Sequence, residues 1–317
     1  MPEKGVVQLF EREIGWEERQ VSTQVDRTID SNFFGVFVAH PECCARPDGT
    51  RTTFTPHHCG PADLDFTPIP GGPPLGQRKL RAEFINTLQI TGQIHAKARG
   101  KELVIAICNS LTHKNFIFRI NFGLEAHCFW MPTEWYRNIV SRPPVPRGEK
   151  SFAFVVPPEY VDGPARQLLI SIQAAFVRPE WTLVFVDHNV MIQFQLMQAS
   201  ESFLPSDLTP TSKIWPRLWS RTHGPVYHLE PQATLDCLEA WRLETITESD
   251  RTPIFQSIKT TQTVFNGCGA QEATDLLTLA FIQPQTPALH VCADPRTWSR
   301  LVQALIDNRI RCGPCCS

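Results

Sequence analysis

The chain has 317 residues, 42% of them hydrophobic and 20% charged, with 30 basic against 32 acidic side chains and a formal net charge of −2. That apolar share supports a packed core and gives no sign of a disordered chain, while balanced charge without a long basic run argues against a nucleic-acid footprint, though not against a local patch. No apolar run approaches the ~18 residues of a membrane span, and the charged start MPEKGVVQLFEREIGWEERQ lacks a signal-peptide core.

Within residues 1–60 one strand stands out, Phe33 to Val38. Gly60 to Gly76 is a proline- and glycine-rich connector that holds neither helix interior nor central strand. From Phe84 to Ala96, Phe84, Leu88, Ile90 and Ile94 fall on even positions and polar residues on odd ones, the mark of a half-buried strand kinked at Gly92. Lys101 to Phe122 reads as two strands around a polar corner, Cys108 to Lys114. After a second connector, Ser141 to Gly148, four strand candidates crowd Phe152 to Met197, separated by turn residues. Many short strands at regular spacing point to a sandwich or jelly-roll-like barrel.

Ser202 to Pro231 forms a third connector, carrying Trp215 and Trp219. Ala233 to Leu243 reads as a short helix, with strand as the open alternative. Ile254 to Val264, Thr274 to Ile282 and Ala288 to Cys292 read as strands. At the C-terminal end Asp294 is a good N-cap and Pro295 a good first-turn residue. Trp298, Leu301, Val302, Leu305 and Ile306 then share one stripe, which predicts a helix.

The strand–corner–strand of Lys101 to Phe122 resembles the central hairpin of herpesvirus dUTPases, where the corner carries an I-D-x-G-Y-R-G-like pattern. Here Asn109 stands at the aspartate, Leu111 and Thr112 at the glycine and tyrosine, and His113 and Lys114 at the arginine and second glycine. Val156 to Tyr160 resembles the family's V-P-x-x-W-like turn. The resemblance implies a mainly β fold, a dUTPase-like β-barrel or jelly-roll built as two imperfect barrel units with a few short helices. The expected division is residues 1–76 as extension and connector, 77–200 as the first barrel, 201–231 as connector, and 232–317 as a truncated second β unit with a C-terminal helix.

Hydrolysis at phosphorus needs a base, a divalent ion and donors around the developing charge. Asn109 cannot act as that base near neutral pH, and neither the family's A-G-x-D-like element before Ile254 nor its P-R-S-S-like loop after Ile282 has a counterpart. The resemblance therefore implies a non-catalytic dUTPase-related pseudoenzyme of the infected cell, in the host cytoplasm, nucleus or both, and not secreted. It would act by contact with host or viral proteins, as relatives implicated in antagonising interferon signalling or host gene expression do. Trp130, Trp135, Tyr136, Trp215 and Trp219 are the candidate contact residues, since aromatic side chains dominate binding hot spots. No catalytic residue and no cofactor is expected. The alternative is a diverged deoxyuridine triphosphatase, in which case Mg²⁺ is required.

A third reading is a zinc-binding module. His40, Cys43 and Cys44 with His57, His58 and Cys59 are capable ligands, although their adjacent pairing departs from the usual C-x₂₋₄-C and H-x₃₋₅-H spacing. Cys312-Gly313-Pro314-Cys315 has C-x-x-C spacing but follows a helix, whereas a reactive thiolate sits at a helix start. Asp187 beside His188 looks like a catalytic pair, yet no nucleophile is placed near it, and it reads as turn chemistry.

Overall fold

In a computed structural model the described residues are 32–40, 43, 54–58, 89–108, 115–122, 126–147, 151–161, 168–189, 191–199 and 203–311. The chain divides into two units: one ends at Leu218, and the other runs from Trp219 and includes the turn Arg99–Lys101.

In chain order the strands are β1 (Asn32–Ala39), β2 (Phe54–His58), β3 (Gln89–Arg99), β4 (Glu102–Cys108), β5 (Asn115–Asn121), β6 (His127–Pro132), β7 (Val145–Arg147), β8 (Ser151–Val155), β9 (Leu169–Ile170), β10 (Ile172–Val177), β11 (Trp181–Val186) and β12 (Gln193–Ala199). Among the described residues nine of them build one open sheet, β2-β12-β5-β4-β3-β1-β10-β11-β6, and β7-β8-β9 build a small one. β12 pairs in parallel with β2 and antiparallel with β5, and β1, β10, β11 and β6 continue the antiparallel pattern. The expected barrel is therefore corrected: β2 and β6 are the two edges of a sheet that does not close. Period-2 patterning reports that a segment is extended, and says nothing of whether the last strand returns to the first.

One face of the sheet is aromatic. Phe37, Phe118, Phe176, Phe185 and Phe194 are at most 1% exposed, with Phe37–Phe118 and Phe118–Phe176 centroids 4.8 and 4.9 Å apart. Such tilted and edge-on pairs add about 0.5–1.5 kcal/mol each beyond area burial. β4 is buried along its whole length, which explains its run of Leu103, Val104, Ile105, Ala106 and Ile107 without polar alternation. Helix α1 (Thr133–Val140) follows β6, and its Tyr136 and Ile139 pack with Met131, Phe154, Ile172 and Val184 in a second apolar cluster. A short helix, α2 (Trp215–Leu218), closes the first unit.

From Trp219 onward the described residues are helical: α3 (Pro231–Thr247), α4 (Ile254–Thr260), α5 (Ala270–Leu279), α6 (Ala288–Ala293) and α7 (Pro295–Arg311). The second β unit expected over 232–317 is thus replaced by a helical one. Ile254 and Ile258 are four apart, and Ala273, Leu276, Leu277 and Ala280 follow the i, i+3, i+4, i+7 rule; all are at most 1% exposed. They share one core with Leu238, Trp241, Val291, Trp298 and Leu301. The first donors of α4 and α6 are satisfied by each other's approach segments rather than by side-chain caps. Ile254 N–H donates to Thr286 O (2.9 Å) and Ala288 N–H to Thr252 O (2.9 Å). At α7 the cap read from the sequence is present, with Asp294 Oδ2 accepting from Thr297 N–H at 3.0 Å. The mixture of sheet and helices makes the chain an α/β protein rather than a mainly β one.

Candidate functional site

A set of long-range polar contacts in the second unit gathers around Arg99–Lys101 and the segment joining α4 to α5. Arg99 Nε donates to Glu230 Oε2 at 2.7 Å and Nη2 to Glu230 Oε1 at 3.2 Å, a two-pronged pair across 131 residues of sequence. Its Nη1 donates to His223 O at 3.2 Å, and the guanidinium lies 5.8 Å from the Trp219 ring centroid. Arg99 is 7% exposed and Lys101 3%, so these are interior charges with fixed partners rather than solvated ones.

Gly100 adopts φ +64°, and a Cβ there would fall 2.0 Å from Asn266 Oδ1, so only glycine permits the approach. Lys101 Nζ donates to Cys268 O at 3.3 Å. Burial pulls the Lys101 ammonium below its ordinary pKa, and Cys268 and Glu272 beside it push it back up.

The α4–α5 segment is braced from its own side as well. Gln262 Nε2 donates to the same Cys268 O at 2.8 Å, and Gln262 Oε1 accepts from Gly267 N–H at 3.2 Å. Asn266 Nδ2 donates to Gly224 O at 2.6 Å, and Gly224 N–H to Gln262 O at 2.9 Å. A Cβ on Gly224 would lie 1.8 Å from Thr263 O, the second place where this set requires a glycine. Glu272 Oε2 accepts from Gly269 N–H at 2.8 Å in the first turn of α5, a carboxylate where the helix dipole favours one. This arrangement holds backbone in a set shape; it places no base beside a nucleophile.

The residues singled out from the sequence are not brought together. Asn109, Leu111, Thr112, His113 and Lys114 lie outside the described residues, as do Cys44, Cys59 and Cys312 to Cys315. Of the aromatic set, Trp135 is 40% exposed and stacks on Tyr160 with centroids 4.6 Å apart, and Trp130 is half-buried on β6. Tyr136, Trp215 and Trp219 are 4%, 2% and 3% exposed. These three are interior packing, which removes them from the expected contact surface.

His40 is buried with Nε2 2.9 Å from Tyr136 Oη, and burial lowers its pKa to about 4. Cys43 is buried in the same cluster as Tyr136. His57 and His58 lie on β2, with side chains outside the described set. Among the described residues no three His, Cys, Asp or Glu side chains gather as metal ligands, and no helix is long and apolar enough to cross a membrane.

Asp187 and His188 acquire a neighbouring hydroxyl that the sequence did not reveal: Ser171 Oγ lies 3.4 Å from His188 Nδ1. It is no triad. Ser171 is fully buried and donates to Phe152 O at 2.9 Å, and the Asp187 carboxylate accepts from the backbone N–H groups of Asn189, Met191 and Ile192 at 2.8, 2.6 and 2.6 Å.

No family model and no curated protein matches the chain. Solved structures do. Wild-type Lactococcus lactis Fpg (MutM) in complex with DNA containing N7-benzyl-Fapy-dG is similar over 98% of this chain and 78% of its own, with 13% identity and a TM-score of 0.51. The complex of the same protein with oxidized-pyrimidine DNA matches over 98% and 79%, at 13% identity and a TM-score of 0.50. An inhibited LlFpg with N7-benzyl-Fapy-dG DNA matches over 69% of this chain, at 14% identity and a TM-score of 0.43. In that last case the chain spans 61% of the other protein's length.

At 13% identity the likeness is one of fold, and it corrects three expectations. The dUTPase resemblance rested on strand order in a barrel that is absent, so a herpesvirus dUTPase-related protein is not what the fold shows. The functions built on it fall with it: contact with host or viral proteins, and dUTP hydrolysis. The argument against a nucleic-acid partner fails as well. A net charge of −2 averages over the surface and is silent about any one face, and the similar structures are DNA complexes. The chain shares the open-sheet-plus-helices fold of Fpg (MutM).

Proposed function

We propose that the protein binds DNA, with the helical second unit supplying backbone contacts from the α4–α5 segment. One observation carries this reading: the likeness to DNA-bound Fpg (MutM) runs over 98% of the chain, sheet and helices together, rather than over one common substructure. The charge layout supports the side of approach. The solvent face of α3 carries Asp236, Glu239 and Glu244, with Glu248 just past its end, and such a face repels a polyanion. The segment before α5, with Gly267 at φ +86° and Gly269, lets a partner's backbone approach closely, and it holds no acidic residue from 251 to 271. Because the similar structures hold DNA with altered nucleotides, the substrate class we infer is duplex DNA carrying a modified base.

Equilibrium fluorescence anisotropy of the purified chain with short labelled duplexes tests it. We expect a Kd below about 1 μM near 0.1 M salt, tighter than the ~10⁻⁴–10⁻⁶ M of non-specific binding, with the modified duplex preferred. The salt slope should be no steeper than about −5, since near −0.9 per phosphate a chain without a basic run neutralises few. Absence of binding at ~10 μM protein, or equal affinity for heparin and duplex, would overturn the proposal.

A further inference from the structure

Helix α5 closes on a residue that its geometry does not favour. Phe281 N–H donates to Thr278 O at 3.1 Å and Ile282 N–H to Leu277 O at 2.9 Å, the paired closure in which the residue past the cap is left-handed and usually glycine. Here that residue is a phenylalanine at φ +53°, where its Cβ crowds the neighbouring carbonyl. Ile282 obtains the burial that such a closure gives and is 6% exposed. Phe281 obtains none. It is 84% exposed, the most open of the large apolar side chains among the described residues. The fold thus holds an aromatic ring in water at a position where glycine would relieve the strain. Its surroundings are uncharged: residues 276–293 include no Asp, Glu, Lys or Arg, and Gln283, Pro284 and Gln285 are exposed beside it. Half-buried Phe255 borders them, donating its N–H to Pro284 O at 3.2 Å. An exposed aromatic within a charge-depleted surface has the composition of an interface core.

We propose that this patch is a two-fold interface between copies of this chain, with Phe281 of each copy at its centre. Across a two-fold axis a group near the axis meets its own kind. A charge there meets a like charge, as it would on the exposed face of α3 with Asp236, Glu239 and Glu244. A glutamine amide both donates and accepts, so Gln283 and Gln285 can hydrogen-bond to the same residues of a second copy, while the rings of Phe281 and Pro284 pack on theirs. A charged partner finds nothing opposite to its own sign in residues 276–293, and a polyanion finds no lysine or arginine there. The ten residues of α5, about 15 Å of helix, separate Phe281 from the segment before α5. Self-association through this patch therefore stands independently of the DNA-binding reading.

Sedimentation velocity of the full chain over a concentration series tests it, with wild type, Phe281→Gly, Gln283→Glu and Gln283→Lys. We expect wild type to dimerise with a Kd on the order of 10 μM, as suits a small interface without ion pairs. Phe281→Gly should stay monomeric at about 100 μM. Its thermal midpoint at ~1 μM, where wild type is monomeric too, should equal or exceed the wild-type value, because glycine suits the left-handed position. That second readout separates a lost interface from a damaged fold. Each Gln283 variant alone should dimerise at least roughly ten-fold more weakly, since like charges then face each other. An equimolar mixture of the two should recover to within about three-fold of wild type. Wild type monomeric at about 300 μM would overturn the proposal, as would undiminished dimerisation of Phe281→Gly. A mixture no better than either Gln283 variant alone would overturn the two-fold arrangement.

Discussion

His40 shows how much one buried side chain adds to pH behaviour. Its imidazole lies against Phe154, with ring centroids 5.1 Å apart, and shares a hydrogen bond with Tyr136 Oη. Burial lowers its pKa to about 4 from an ordinary 6.5. Between those values the unfolded chain binds a proton that the folded one refuses. Stability is therefore full above about pH 6.5, falls as pH drops, and has lost this contribution completely near pH 4. Each tenfold weakening of proton affinity is worth about 1.4 kcal/mol, so the loss is on the order of 3 kcal/mol. Urea unfolding of wild type and His40→Gln at pH 7 and pH 4.5 should show a smaller drop in the variant; equal drops would contradict the assignment. The same side chain was legible in the sequence only as a metal-capable histidine. Nothing local to residues 40–44 shows that its partner would be Tyr136, 96 positions away.

Among the elements, those whose apolar period matched their final state were readable and those whose composition misled were not. β10 and β11 are buried along most of their length and appear in the sequence as β-branched and aromatic runs bounded by turn residues. Helices α4 and α6 are only seven and six residues long, too short to display a helical stripe, and Ile254, Phe255 and Val291 carry strand-like propensity. Core packing and the crossed backbone bonds between 250–255 and 284–289 decide their state. Helix α7, at 17 residues with its Asp294 cap, was legible because cap, first-turn proline and stripe agreed. The β11–β12 turn is the element most dependent on one group. Asp187 is fully buried and holds three backbone donors of residues 189–192. Asp187→Ala leaves those donors unsatisfied, at about 1–3 kcal/mol for each that stays buried. We expect roughly 3–5 kcal/mol lost in denaturant unfolding, and a change under about 1 kcal/mol would show that the carboxylate is not the anchor.

At the scale of the whole molecule, the sequence marked many strands of the first unit, misread three helices of the second as strands, and did not show the path by which the strands pair. The order β2-β12-β5-β4-β3-β1-β10-β11-β6 joins β1 to β10 and β12 to β2 across more than a hundred residues, and no short-range pattern encodes that. The candidate site is hidden for the same reason. Arg99 and Glu230 are 131 residues apart and Lys101 and Cys268 167 apart, and each looks ordinary where it stands. Charge behaves likewise, because a near-neutral total conceals an acidic α3 face and a segment before α5 without acidic residues from 251 to 271.

Hydrogen exchange of the full chain, with and without a saturating duplex carrying a modified base, tests the central claim most directly, because it reads both binding and its location. Exchange should slow over residues 261–270 when DNA is added, with the exposed face of α3 unchanged. No protection anywhere, or protection confined to the Trp135–Tyr160 surface of the first unit, would contradict it.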